Sequence, residues 1–204
     1  MPAKNTLKLD EVNSYYHVYA RGIAKLPIFM DDQDFSYFIQ LFSRYLSIEA
    51  VVSKAGVVYP HYRGQIELLS YCLMSNHFHL LVYQHQQTAL TSLMRSVMTA
   101  YSKYFNLRYK RTGPVFESRY KAVRIDSDTY LSHISRYIHM NPRYYITYKY
   151  SSYTAYVNGS APEWLQTERI SGMFESGDRY ASFCSDYVDR REVLQRVKTE
   201  LADY

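Results

Sequence analysis

The run from Gln65 to Tyr83, QIELLSYCLMSNHFHLLVY, constrains the fold more than any other part of the chain. It contains two strand-length apolar segments split near Met74–Ser75–Asn76, and two successive strands of this kind need sheet neighbours and a covering layer. The flanking sequence offers both. Ser14 to Gly22, SYYHVYARG, is rich in β-forming residues and stops at a glycine, which reads as a strand. Next, MDDQDFSYFIQLFSRYL places Phe35, Phe38, Ile39, Phe42 and Leu46 at helical spacing behind a capping Asp31 or Asp32.

Beyond the two strands, Thr88 to Tyr109 carries an apolar stripe of Leu90, Leu93, Met94, Val97, Tyr101, Tyr104 and Phe105, a helix with one buried face. The turn Thr112–Gly113–Pro114 leads into FESRYKAVRI, read as a further strand. A helix capped by Asp126 or Ser127 follows and ends at Asn141–Pro142, because proline disfavours helix in the residue before it. The order strand, helix, two strands, helix, strand, helix predicts an α+β fold: an antiparallel sheet with helices on its faces. Ala50 to Gly64 reads as a loop or irregular hairpin, SSYTAYVNGSAPEW as a loop, and the chain from about Gln166 as two or three short helices. The expected organisation is a domain over 1–156 and a small C-terminal helical extension over 157–204.

Composition narrows the function classes. No apolar run is long enough to span a bilayer. The start, MPAKNTLKLDEV, lacks the apolar segment of a secretory signal, so the expectation is a cytosolic protein with no membrane partner. Cys72 and Cys184 lie far apart, fit a reduced compartment and do not form a metal-binding pair. The net charge of +5 favours an anionic partner. The 24 tyrosines suit surfaces that stack on bases, or reflect a compositional bias of the host lineage.

Three features carry chemistry. Side chains two apart on a strand share a face, so His77 and His79 project together, away from a core that takes Phe78 and Leu80. The pair is half of a metal site, although such pairs alone are more often structural. In the helix DTYLSHISRYIHMNP, Tyr137 and Asn141 share one face with His133, while Ile134 and Ile138 form the stripe that anchors it. Between Lys103 and Arg124 the basic residues are Lys103, Arg108, Lys110, Arg111, Arg119, Lys121 and Arg124, against Glu117 alone. Tyr101, Tyr104, Tyr109, Phe116 and Tyr120 are interleaved with them. Cations that track phosphates and rings that stack on bases point to a DNA-binding role for this cluster.

Several motifs in order resemble one family. MSNHFHLLV looks like the HUH motif, histidine–hydrophobe–histidine, of the single-tyrosine HUH transposases. RYIHMNP resembles that family's nucleophile segment: tyrosine, isoleucine, a variable pair, then asparagine–proline. YYHVYARG with PIFMDDQDF, GPVFESRYKAVRIDSDTYL and YSSYTAY agree as well. The set most resembles the REP-associated tyrosine transposase branch of the IS200-like group, over Tyr15 to Tyr156. This resemblance implies a HUH core of the ferredoxin-like, RRM-like type. It implies a divalent metal, Mg²⁺ or Mn²⁺, on His77 and His79, and Tyr137 as nucleophile. Asn141 falls where many relatives have glutamine, able to complete the metal site. The implied reaction cleaves and rejoins single-stranded DNA through a 5′-phosphotyrosine, and the implied substrate is hairpin, palindromic-repeat DNA.

Relatives with this core include dimers and monomers, so a homodimer is a candidate assembly. Ala50 to Gln65 is longer than the family's usual connection, and the tail beyond Glu163 resembles an extension of some members. Two other classes stay open at this point. One is a domesticated or inactive relative that binds structured DNA. The other is a metal-dependent hydrolase of a small substrate, which leaves Tyr137 and the basic cluster without a role.

Overall fold

In the structure, a computed structural model that describes residues 10–125 and 128–186, the alternating and helical patterns become one sheet between two helical layers. The elements run β1 (Ser14–Arg21), α1 (Asp32–Leu46), β2 (Ile66–Met74), β3 (His77–Gln84), α2 (Ala89–Arg108), β4 (Lys121–Ile125) and α3 (Asp128–His139). Short helices α4 (Tyr153–Asn158), α5 (Glu168–Ser171) and α6 (Gly177–Ser185) follow. The strands are antiparallel in the order β2-β3-β1-β4, the order of a ferredoxin-like βαββαβ unit. The expected α+β class, with helices on both faces of an antiparallel sheet, is what forms.

Local chemistry explains the main boundaries. Asp31 caps α1, accepting from the backbone N–H of Gln33 at 3.0 Å and Asp34 at 3.3 Å. At the start of α2, Gln84 Oε1 accepts from the Leu90 N–H at 2.8 Å and the Asp10 carboxylate from the Thr88 N–H at 2.9 Å. The predicted cap of α3, Asp126 or Ser127, lies outside the described residues. FESRYKAVRI is strand only from Lys121 onward; before that Phe116 bridges Gly22 and the Glu117 N–H donates to Arg21 O at 3.0 Å. The segment read as a loop, SSYTAYVN, is largely helical: α4 forms because Tyr153, Ala155 and Tyr156 are buried.

Alternation divides the sheet into two faces. Tyr16, Val18, Phe78, Leu80 and Val82 pack under α1 and α2 with Phe38, Phe42, Leu93, Val97 and Tyr101. Tyr19, Leu69, Cys72 and Leu81 lie on the opposite face with Ile134 and Ile138 of α3 and Tyr180 and Cys184 of α6. A bulge between Leu68 and Ser70 switches the phase of β2, so Ile66 and Leu68, then Tyr71 and Leu73, all reach the first core. The free edge of β2 is covered. Leu73 N–H donates to Tyr150 O at 2.9 Å, Ser152 N–H to Tyr71 O at 3.0 Å and Gln166 N–H to Leu68 O at 2.9 Å. Within the described part of the extension, Trp164 and Leu165 enter the first core, Ile170 and Tyr180 the second.

Candidate functional site

The second face holds the two histidines, and this corrects the expectation that they point away from the core. Both sheet faces are covered, and His79 is only 2% exposed. His77 and His79 lie beneath α3, whose Ile134 and Ile138 are fully packed. That anchorage swings Tyr137 over the strand: its ring centroid is 5.4 Å from that of His79 and 5.9 Å from that of His17. Just past the end of α3, Asn141 Oδ1 comes within 3.3 Å of His77 Nε2. Four side chains named from sequence, His77, His79, Tyr137 and Asn141, thus converge from a strand, a helix and a loop.

The sheet register adds neighbours that the sequence did not single out. Directly paired residues share a face. Arg21 stands opposite His77, and Tyr19 opposite both His79 and Lys121. Lys121 is thus the member of the predicted basic cluster that shares the histidine face. His17 of β1 is 2% exposed and lies with its Nε2 3.0 Å from His79 Nδ1. The antiparallel register makes this contact, and nothing in the local sequence reports it.

Burial dominates the electrostatics. It lowers the His77 pKa to about 4, with the Asn141 hydrogen bond opposing and the charge of Arg21 adding to the shift. His17 falls to about 3 by burial, and His79 well below its usual value by burial and the nearby His17, His77 and Arg21. All three imidazoles are neutral at pH 7. Tyr137 is pushed up to about 12, first by burial and then by the Tyr19 phenol, with an Asn141 hydrogen bond opposing. No group here makes the phenolate on its own.

The residues fit a divalent cation. His77 Nδ1 lies 2.7 Å from Asn76 Oδ1 and its Nε2 3.3 Å from Asn141 Oδ1. A neutral imidazole carries one proton, so only one of these oxygens can accept from it. When Nδ1–H donates to Asn76, the Nε2 lone pair faces an amide oxygen, a contact that a cation between them resolves. Among the described residues, no three His, Cys, Asp or Glu side chains gather into a metal-holding group. The donor set is accordingly two imidazoles and an amide, which leaves a bound cation its full charge.

Other predicted residues lie elsewhere. Arg108 is 2.6 Å from both Asp31 and Asp34 and clamps the end of α2 to the start of α1; its guanidinium serves that joint. Arg124 faces the other side of the sheet and pairs with Glu11. Lys103 and Arg119, with Arg95, rim a groove of about 700 Å³ between α2 and residues 114–120, floored by Met94, Met98, Val115 and Phe116. The groove lies on the α2 side, away from Tyr137. Lys110 and Arg111 follow α2, and the Arg111 guanidinium sits 5.5 Å over the Phe105 ring. His133, one turn before Tyr137 on α3, contacts Arg136 at 2.7 Å and packs on Phe183. His139 is fully buried, bonded to the Tyr180 hydroxyl at 2.6 Å and Ser152 Oγ at 2.7 Å.

Comparison with known proteins finds two similarities. Residues 59–141, which contain both histidines, Tyr137 and Asn141, match the family model described as transposase IS200 like. Among solved structures, the chain resembles the REP-associated tyrosine transposase bound to a REP hairpin. The TM-score is 0.56 at 12% identity, covering 80% of this chain and 92% of that one. At that identity the likeness is one of fold. No curated protein sequence is similar enough to count as a relative.

Proposed function

We propose that this relative of the IS200-like transposases cleaves and rejoins single-stranded DNA, with Tyr137 as the nucleophile. The observation that carries the reading is the convergence of Tyr137 with His77, His79 and Asn141 from three separate segments. In the proposed step the Tyr137 oxygen attacks a phosphodiester phosphorus. A bond forms from the tyrosine to the phosphate, the bond to the 3′ oxygen breaks, and a 3′-OH leaves. The product is a 5′-phosphotyrosine, whose energy another 3′-OH recovers in the reverse step, so no nucleotide cofactor is consumed.

His77, His79 and Asn141 would hold Mg²⁺ or Mn²⁺. When bound, the cation supplies Lewis-acid polarisation of the scissile phosphate and favours the phenolate beside it. The chain's own residues orient the reaction. Packing of Ile134 and Ile138 sets the height of Tyr137 above the strand, and Arg21 and Lys121 offer positive charge on the same face. Lys103, Arg119, Lys110 and Arg111 would hold DNA away from the scissile bond, on the α2 side. A hairpin is the proposed substrate, since the fold neighbour is described with a REP hairpin bound.

The test is incubation with single-stranded and hairpin oligonucleotides and Mn²⁺, read as a covalent protein–DNA band on a denaturing gel. The adduct is expected with the wild-type chain and absent in Tyr137→Phe. Persistence of the band in that variant assigns the nucleophile elsewhere. A second reading, a structured-DNA-binding module without catalysis, is favoured by one observation: the Tyr137 phenol is held up at about 12 by its buried surroundings. Tight hairpin binding with no adduct under any divalent metal would select it.

A further inference from the structure

The hydrogen bond between His17 and His79 is not used by the step above, yet it joins two of the most deeply buried polar side chains in the sheet. We infer that His17 is a positioning residue: it accepts a hydrogen bond from His79 Nδ1–H and so fixes the tautomer in which His79 Nε2 presents its lone pair to the metal. This rests on the proposed role of His79 as a ligand.

The argument starts from proton count. His17 Nε2 and His79 Nδ1 are 3.0 Å apart, and both rings are 2% exposed. Between two neutral rings one hydrogen must lie along that line, so one ring donates and the other accepts. If His17 donates, His79 keeps its own proton on Nε2, and that nitrogen has no lone pair to offer. If His79 donates, its Nε2 is bare and the ring is oriented as a ligand. Metal-bound histidines are regularly fixed by an acceptor on their second nitrogen, usually a carboxylate or a carbonyl. Here a neutral imidazole fills the place. A carboxylate in the same position would add negative charge beneath a site that must receive a phosphate; His17 adds none.

Packing gives His17 its precision. Its ring lies nearly parallel to that of His79 across the hydrogen bond, with centroids 5.1 Å apart and an interplanar angle of 22°, and meets Tyr137 edge-on at 5.9 Å. One side chain therefore touches the proposed ligand and the proposed nucleophile together. The first strand contributes this residue because its ladder with β3 pairs Tyr19 with His79 and so sets His17 diagonally beside it. The motif YYHVYARG thereby acquires a chemical role beyond forming a strand.

Two measurements decide the matter. Nitrogen-15 NMR of the metal-free wild-type protein reads the tautomers directly. A proton on His79 Nδ1 with a bare Nε2 supports the inference, and a proton on His79 Nε2 overturns it. Mn²⁺ affinity, followed by the electron paramagnetic resonance of free Mn²⁺, is then compared for wild type, His17→Phe and His17→Gln. The expected result is a 10–100-fold weaker affinity in His17→Phe with substantial recovery in His17→Gln, whose amide oxygen can accept the bond. Equal affinity in a folded His17→Phe overturns it, as does equal weakening in both variants. If the wild type binds no Mn²⁺, the metal reading of the site fails, and the NMR arm still decides the direction of the hydrogen bond. If His17→Phe does not fold, the glutamine variant and the NMR arm carry the test.

Discussion

The two faces of the sheet are built on different principles. Beneath α1 and α2 the contacts are apolar and aromatic: Phe29, Phe38, Phe42, Phe78 and Tyr101 interlock, and the buried carboxylate of Asp34 is satisfied by Arg108, Tyr104 and Tyr109. Beneath α3 and α6 the sheet carries His17, Tyr19, Cys72, His77 and His79, and the helices return Tyr137 and His139. The first face gains stability from apolar burial. The second holds titratable groups in their neutral forms, at some cost in solvation, where the proposed metal and phosphate would use them. A site of this kind needs the other face to carry the fold.

That contrast can be broken on the apolar side first. Phe38→Ala removes a fully buried ring at the α1–sheet contact, and is expected to destabilise by about 3–5 kcal/mol. Urea denaturation measures the loss, and Mn²⁺ affinity per folded molecule should stay near wild type. If stability hardly changes, the division of labour between the faces is wrong.

Acid should find the second face. For a histidine whose folded pKa is depressed, the unfolded chain binds more protons between the two pKa values, so stability falls as pH drops below about 6.5. His139, held at about 3 by burial, should cost about 2 kcal/mol by pH 5. The check is urea unfolding at pH 7 and pH 5 for wild type and His139→Gln. The pH dependence should shrink in the variant, and an unchanged slope would place the acid sensitivity elsewhere.

The smallest effects sharpen the comparison among the cations. Arg108→Ala removes two ion pairs at the α1–α2 joint, one to a buried carboxylate. It should lower the urea midpoint, because the buried Asp34 carboxylate loses its cation, with little change in the salt dependence of DNA binding. Lys103→Ala should leave stability within about 0.5 kcal/mol and reduce the slope of log affinity against log salt by about 1. Reversed outcomes would move Arg108 to the DNA and Lys103 to the fold.

Much of this was legible in sequence because local rules governed it. The split run Gln65–Tyr83 became β2 and β3, Asp31 capped α1, and the stripe from Leu90 to Phe105 became the buried face of α2. SSYTAYVN misread as a loop because its helix is held by burial of Tyr153 and Tyr156 rather than by local propensity. The phase switch in β2 was invisible, since strict alternation cannot signal an extra residue.

By itself, then, the sequence determined the main strands and helices through α3, their order, and the histidine pair and Tyr137 as candidate site residues, because side-chain periodicity and motif spacing are properties of a few neighbouring residues. Tertiary structure decided that both sheet faces are covered, that Arg108 belongs to a helix joint, and that His17 lies against His79. Those outcomes depend on strand register and on which helix packs where, and both are set by segments far apart in the chain: the β1–β3 ladder brings His17 beside His79, and α3 sits over the histidines by burying Ile134 and Ile138.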